Sequence, residues 1–210
     1  MAELISSLAP GAIERAAKCL RAGGVISVPT ETVYGVAVLP NEAGVSRLIE
    51  AKRRSAEKGI QLLIDSLAQA RAIAQLPPAA MALAERYWPG PLTLVLDRRP
   101  DVELPAELGG GRPTLGLRLP DHHVPRALAR LLGPIAASSA NVSGQPDATT
   151  AQQVLASLGE AIELVIDDGP VRGGVPSTVV ACLAGEPARV LREGALSERD
   201  VRAATATLDR

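Results

Sequence analysis

The chain has 210 residues, 47% of them hydrophobic and only 1% aromatic, with no Phe and a formal net charge of −1. That length suits one domain with an aliphatic core. The near-neutral charge argues against a general electrostatic pull toward nucleic acid or membrane, and so few rings argue against base stacking as a recognition device.

In chain order, Pro10 opens a helix whose Ile13, Ala16, Ala17 and Leu20 recur at helical spacing, and Gly23 and Gly24 end it. Residues 25–28 read as a strand. "VPTETVYG" (28–35) follows, an unusually polar strand end with two threonines, a glutamate and a tyrosine. Val45, Leu48 and Ile49 mark a helix running to about Arg53, and "IQLLI" (60–64) is a short strand. Two helices separated by Pro77 and Pro78 come next, then the strand "PLTLVLD". Residues 98–113 are rich in Pro and Gly and read as a loop. "TLGLRLP" (114–120) is a strand, "VPRALARLLG" a helix and "PIAASS" a buried strand. "TTAQQVLASLG" is a helix capped by Thr149 or Thr150. Three strands follow in "IELVIDDG", "STVVACL" and "ARVLREG". A last helix begins at Ser197, with Asp200 placed as in a capping box. Mixed strands and helices with no convincing linker predict one α/β domain over 1–210, built on a mixed sheet.

Cys19 and Cys182 sit among apolar residues and read as buried thiols of a reducing compartment rather than a disulfide. The N-terminus carries acidic residues and no unbroken apolar run, so it does not read as a signal peptide. No stretch approaches the roughly 18 apolar residues of a membrane span. A cytoplasmic location without membrane association is the expectation.

The chain lacks a P-loop, a GxGxxG fingerprint, a GxSxG elbow and any Cys/His metal cluster. His122 and His123 read as turn residues beside Pro120 and Pro125 rather than ligands. "KRR" (52–54) either completes a helix C-terminus or forms an anion site with Lys58. At about 100° per residue, Lys52 and Arg54 converge only if the helix ends near Lys52. Alternation in "TLGLRLP" puts Thr114, Gly116 and Arg118 on one face, so Arg118 either meets solvent or lines a polar cavity able to bind a carboxylate. "ASSANVSG" and "GGVPSTVV" place small hydroxyls at strand ends, and Arg192 closes another strand. Together these groups suit a ligand bearing both phosphates and a carboxylate.

"VPTETVYG", "KRR", "PGPLTLVL", "LGLRLPDH", "ASSANVSG", "GGVPSTVV" and "VLREG" occur in the order and spacing of the YrdC-like threonylcarbamoyl-AMP synthases. The resemblance runs from about Ala16 to Gly194 and is to the short, single-domain form. It implies a twisted mixed sheet with flanking helices and a basic central cavity. It also implies a nucleotidyltransferase reaction in which L-threonine, bicarbonate and ATP, with Mg²⁺, give threonylcarbamoyl-AMP and pyrophosphate. Separate tRNA threonylcarbamoyl-transfer machinery would use that product. Carried over by motif, Lys52 and Arg54 are the catalytic pair and phosphate ligands. Lys58, Ser139, Asn141 and Arg192 lie on the ATP side, and Thr32, Arg118 and Ser177 bind threonine. No resident metal is implied, and the roles of Glu31 and Tyr34 are open. Ser55 stands where many relatives have proline, and Leu63 where longer relatives have a histidine near threonine. The alternatives are an RNA-binding YrdC-like module without synthase activity and a carbamoyl-transfer domain of hydrogenase maturation.

Overall fold

The computed structural model describes residues 2–206. Ten strands form one mixed sheet: β1 (Glu3–Ser6), β2 (Ile26–Val28), β3 (Gly35–Val38), β4 (Gln61–Leu63), β5 (Leu92–Asp97), β6 (Thr114–Arg118), β7 (Ile135–Ser139), β8 (Leu164–Asp167), β9 (Thr178–Ala181) and β10 (Arg189–Arg192). Their spatial order is β1-β8-β2-β3-β7-β4-β6-β5-β9-β10. The helices are α1 (Ala12–Arg21), α2 (Glu42–Lys52), α3 (Leu67–Ile73), α4 (Pro78–Tyr87), α5 (His123–Leu132), α6 (Ala151–Leu158) and α7 (Glu198–Thr205). Among the described residues no helix is long and apolar enough to cross a membrane.

Most elements fall where pattern and caps place them. Asn41, Ser66, Thr150 and Ser197 accept backbone N–H groups at the starts of α2, α3, α6 and α7. The sequence pattern marks neither β1 nor β3. β1 is an edge strand with little burial, so it lacks the apolar alternation that betrays a strand. β3 is buried on both faces and follows the polar turn directly, so it too shows no alternation. Within the loop, the sequence misses a short 3-10 turn at Ala106–Gly109.

Alternation along the strands separates two apolar clusters. Leu62, Leu92, Leu94, Leu96, Leu115 and Leu117 join one cluster, together with residues of α2, α4, α6 and α7. Ile26, Val28, Ala37, Ala137, Leu164 and Ile166 point the other way and pack against Ala16, Ala17 and Leu20 of α1 and Val124 and Leu128 of α5. Those two helices cover the β8-β2-β3-β7 part of their face and the Leu63 end of β4. From Gln61 of β4 across β6, β5 and β9 the same face turns polar and small, and there the sheet becomes the floor of a cavity.

Candidate active site

The cavity has a volume of about 380 Å³, within the range of small-molecule sites. Its floor is one face of four neighbouring strands, with Gln61, Thr93, Gly116, Arg118 and Ala137, and is extended by Ser177 just ahead of β9. Leu62, Leu92, Leu94 and Leu117 alternate with these residues and fill the core behind them. Thr93 Oγ1 donates to Gln61 Oε1 at 2.9 Å and shares a 2.8 Å hydrogen bond with Ser177 Oγ. Because the Thr93 proton is used on Gln61, Ser177 is the donor in the second bond. Sequence reasoning missed Thr93 and Gln61. The alternation of Thr93 with Leu92 and Leu94 is the same signal that singled out Arg118.

Arg118 is only 2% exposed, so of the two positions open to it the structure takes the cavity rather than solvent. Its Nε donates to Gly90 O at 3.3 Å and its Nη2 to Thr32 Oγ1 at 2.9 Å. Nη2 also lies 2.8 Å from Glu31 Oε1. That is a charge contact without hydrogen-bond geometry, and both Glu31 oxygens are left with no hydrogen bond. Nη1 makes no hydrogen bond among the described residues. Thr32 therefore stands behind the guanidinium rather than on the cavity surface. Thr30 fixes Thr32 in turn, accepting N–H groups from Thr32 and Val33 and donating to Val33 O at 2.6 Å. Tyr34 is fully buried and donates to Gly169 O at 2.8 Å, while Asp168 N donates to it at 3.1 Å. Burial pushes its hydroxyl up to about 12, and its role is to tie the polar turn to the end of β8.

α2 ends at Lys52, and Arg53 takes a left-handed conformation with φ of 49°. This termination is what convergence of Lys52 and Arg54 requires. The two meet the same segment in different ways. Arg54 lines the cavity, donating to Ser138 Oγ at 2.8 Å and to Lys58 O and Gly59 O at 2.6 and 3.0 Å. Lys52 is 3% exposed and does not line it. Its Nζ donates to Asn141 O at 2.7 Å, to Asn141 Oδ1 at 3.1 Å and to Ser139 O. Burial and then the nearby Arg54 charge lower its pKa to about 8, with Asp147 opposing. The ammonium thus clamps the loop after β7. Lys58 is exposed, with Nζ 3.5 Å from Ser143 Oγ, and lies outside the lining.

Ser139 lines the cavity and donates to Asn141 Oδ1 at 2.6 Å, whereas Asn141 sits behind it and donates to Gln145 O. Arg192 stands at the rim and donates to Ser177 O at 2.8 Å. Burial of its guanidinium lowers its pKa, Arg118 adds to this and Asp147 opposes it. Gly194 permits this arrangement, since a Cβ there would collide with Pro176 O and Ser177. Arg112, Glu57 and Asp147 complete the charged lining and carry no recognisable sequence signal. Of the predicted residues, Arg54, Ser139, Arg118, Ser177 and Arg192 share the cavity. Lys52, Asn141 and Thr32 support it from behind, and Lys58 lies outside.

A second cavity, about 400 Å³, contains Glu31, His122, His123 and Asp168. The spacing of His122, His123 and Asp168 could hold a metal ion. The chemistry does not favour it. His122 Nδ1 accepts Val124 N at 3.2 Å as the cap of α5, which leaves the ring proton on Nε2, 3.1 Å from Asp168 Oδ2. The nitrogen that would ligate is already a donor.

Known proteins match this architecture. The Sua5/YciO/YrdC family, described under telomere recombination, matches residues 18–194. A threonylcarbamoyl-AMP synthase of Pyrococcus abyssi is 41% identical over 90% of this chain and 56% of its own length. One from Bacillus subtilis is 39% identical over 91% of this chain and again 56% of its own. The chain thus spans about half the length of these curated relatives. The crystal structure of Pyrococcus abyssi Sua5 complexed with L-threonine superposes with a TM-score of 0.89 at 36% identity, over 97% of this chain and 60% of that one.

Proposed function

This chain belongs to the Sua5/YciO/YrdC family, and from that premise we propose that it is a threonylcarbamoyl-AMP synthase. It would convert L-threonine, bicarbonate and ATP into threonylcarbamoyl-AMP and pyrophosphate, supplying cytoplasmic machinery that modifies tRNA. One observation carries the reading: a single cavity with a buried arginine on its strand floor and a second arginine at the turn after α2. Arg118 lies beside Leu63 in the ladder, whereas Arg54 binds Gly59 O, four residues earlier. The two anchor points therefore lie at opposite ends of β4. A carboxylate and a polyphosphate can be held at once.

In this reading Arg118 takes the threonine carboxylate through its free Nη1, with Thr32 and Glu31 fixing the guanidinium. Ser177 and Thr93 face the rest of the amino acid. The neutral threonine amine adds to bicarbonate with loss of water, or to carbon dioxide with release of its proton, and the resulting carbamate oxygen then attacks the α-phosphorus as pyrophosphate leaves. Arg54 and Arg192 offset charge on the phosphates, with Lys58 within reach from outside. Lys52 acts through the loop it clamps, holding Ser139 in the wall. Positioning and charge stabilisation do most of the catalysis. ATP would arrive with Mg²⁺, which neutralises phosphate charge when bound. Mg²⁺ is commonly held by one or two carboxylates plus phosphates, and the wall carries Glu57 and Asp147, so the donor set fits.

The test is incubation with ATP, labelled bicarbonate and L-threonine. Threonine-dependent label in an adenylate product is expected. RNA binding without that product would favour the binding-module alternative instead.

A further inference from the structure

Asp147 is a carboxylate in a wall where Arg54, Arg112 and Arg192 would meet phosphate. It is half-buried, and among the described residues it makes no ion pair. Its charge nevertheless reaches Lys52 and Arg192, raising the pKa of each against burial. The segment that bears it is pinned on both sides. Asn141 Nδ2 donates to Gln145 O, and Tyr34 N donates to Ala148 O at 2.8 Å. Its backbone is therefore held in place before any ligand arrives.

A fixed carboxylate among phosphate-binding cations repels a triphosphate unless a cation stands between them. A divalent ion satisfies both sides, taking one protein carboxylate and the phosphate oxygens. We propose that Asp147 is the protein ligand of the divalent cation that accompanies the triphosphate in this cavity. The assignment rests on the ATP-dependent reading above. Glu57 is the other lining carboxylate, but it is exposed and neither of these shifted cations feels it.

Calorimetric titration of the full chain with ATP, with and without Mg²⁺, tests the assignment without any turnover. The wild type should bind ATP about tenfold more tightly with Mg²⁺ than without. In Asp147→Asn that ratio should approach one, with metal-free ATP bound better than by the wild type; loss of a group supporting a metal commonly costs ~10-fold or more. Asp147→Ser should behave alike. An unchanged ratio in both Asp147 variants overturns the inference and leaves the synthase reading standing. Weaker L-threonine binding with an unchanged ratio also overturns it, assigning Asp147 to the substrate ammonium. A wild-type chain that binds no ATP overturns both.

Discussion

Arg118 and Arg54 both face the cavity, but one stands on a strand and the other on a turn. Arg118 inherits its direction from the ladder: β6 pairs with β4 and β5, and alternation leaves it no other face. Three groups then hold the guanidinium: Gly90 O, Thr32 Oγ1 and the Glu31 carboxylate. Arg54 follows a helix end and is held by Ser138 Oγ and two carbonyls of its own turn. The contrast matches the two tasks that the proposed synthase reading assigns. The end proposed to hold the amino acid is set into the sheet. The end proposed to accept a triphosphate includes the turn that bears Arg54, whose backbone can shift without breaking the ladder.

The largest expected effect comes from the turn. Arg54→Ala should lower threonine-dependent pyrophosphate release on the order of a thousandfold, because transition-state charge loses its nearest guanidinium. Binding of L-threonine, measured by calorimetry, should stay at the wild-type value. Loss of threonine affinity in this variant would break the division between the two ends.

Arg118→Ala should act on the other end, raising the KM for threonine roughly a hundredfold, as expected when one partner of a buried charge pair is removed. ATP affinity should not change. The variant also strands the Glu31 carboxylate, so unfolding stability should fall by about 3 kcal/mol. Arg118→Lys sharpens the point. It restores a charge beside Glu31, and much of the stability, but a single ammonium cannot reproduce the fork, so threonine binding stays weak. Full recovery of KM by lysine would show that the geometry of the guanidinium is irrelevant.

The strand-built end was the more legible in sequence. Alternation put Thr114, Gly116 and Arg118 on one face, and the structure keeps all three on the cavity floor. What alternation cannot supply is register: nothing local says that Thr93, Gln61 and Ser177 will meet across separate strands. The turn-built end was legible as composition but not as direction. "KRR" announces cations, yet the left-handed Arg53 decides where its neighbours go, sending Lys52 inward and Arg54 into the cavity. Asp147 was silent because its meaning depends on arginines brought from distant elements. The polar "VPTETVYG" turn drew attention to ligand contact, but most of its polar groups are spent on support: Thr30 staples the turn, Thr32 holds Arg118 and Tyr34 anchors β8.

Lys52 gives the smallest effect, and its sign separates a local change from unfolding. Its three oxygen partners need three N–H donors, which only the ammonium provides. With a native pKa of about 8, the proton leaves as pH rises through that value, and one contact of the loop holding Ser139 is lost. Activity should drop to about half by pH 8 and by roughly tenfold at most by pH 9. Stability should move the other way. The unfolded chain keeps this proton up to its ordinary value of 10.5, so between about 8 and 10.5 the unfolded state binds more protons. In that window the contribution of Lys52 to stability therefore rises with pH. Lys52→Arg, which stays protonated throughout, should lose the alkaline limb if it retains the clamp, as a melting curve and a pH–rate profile can establish together. A limb near pH 8 that persists in a folded Lys52→Arg variant would assign it to another group and detach Lys52 from the turn-built end.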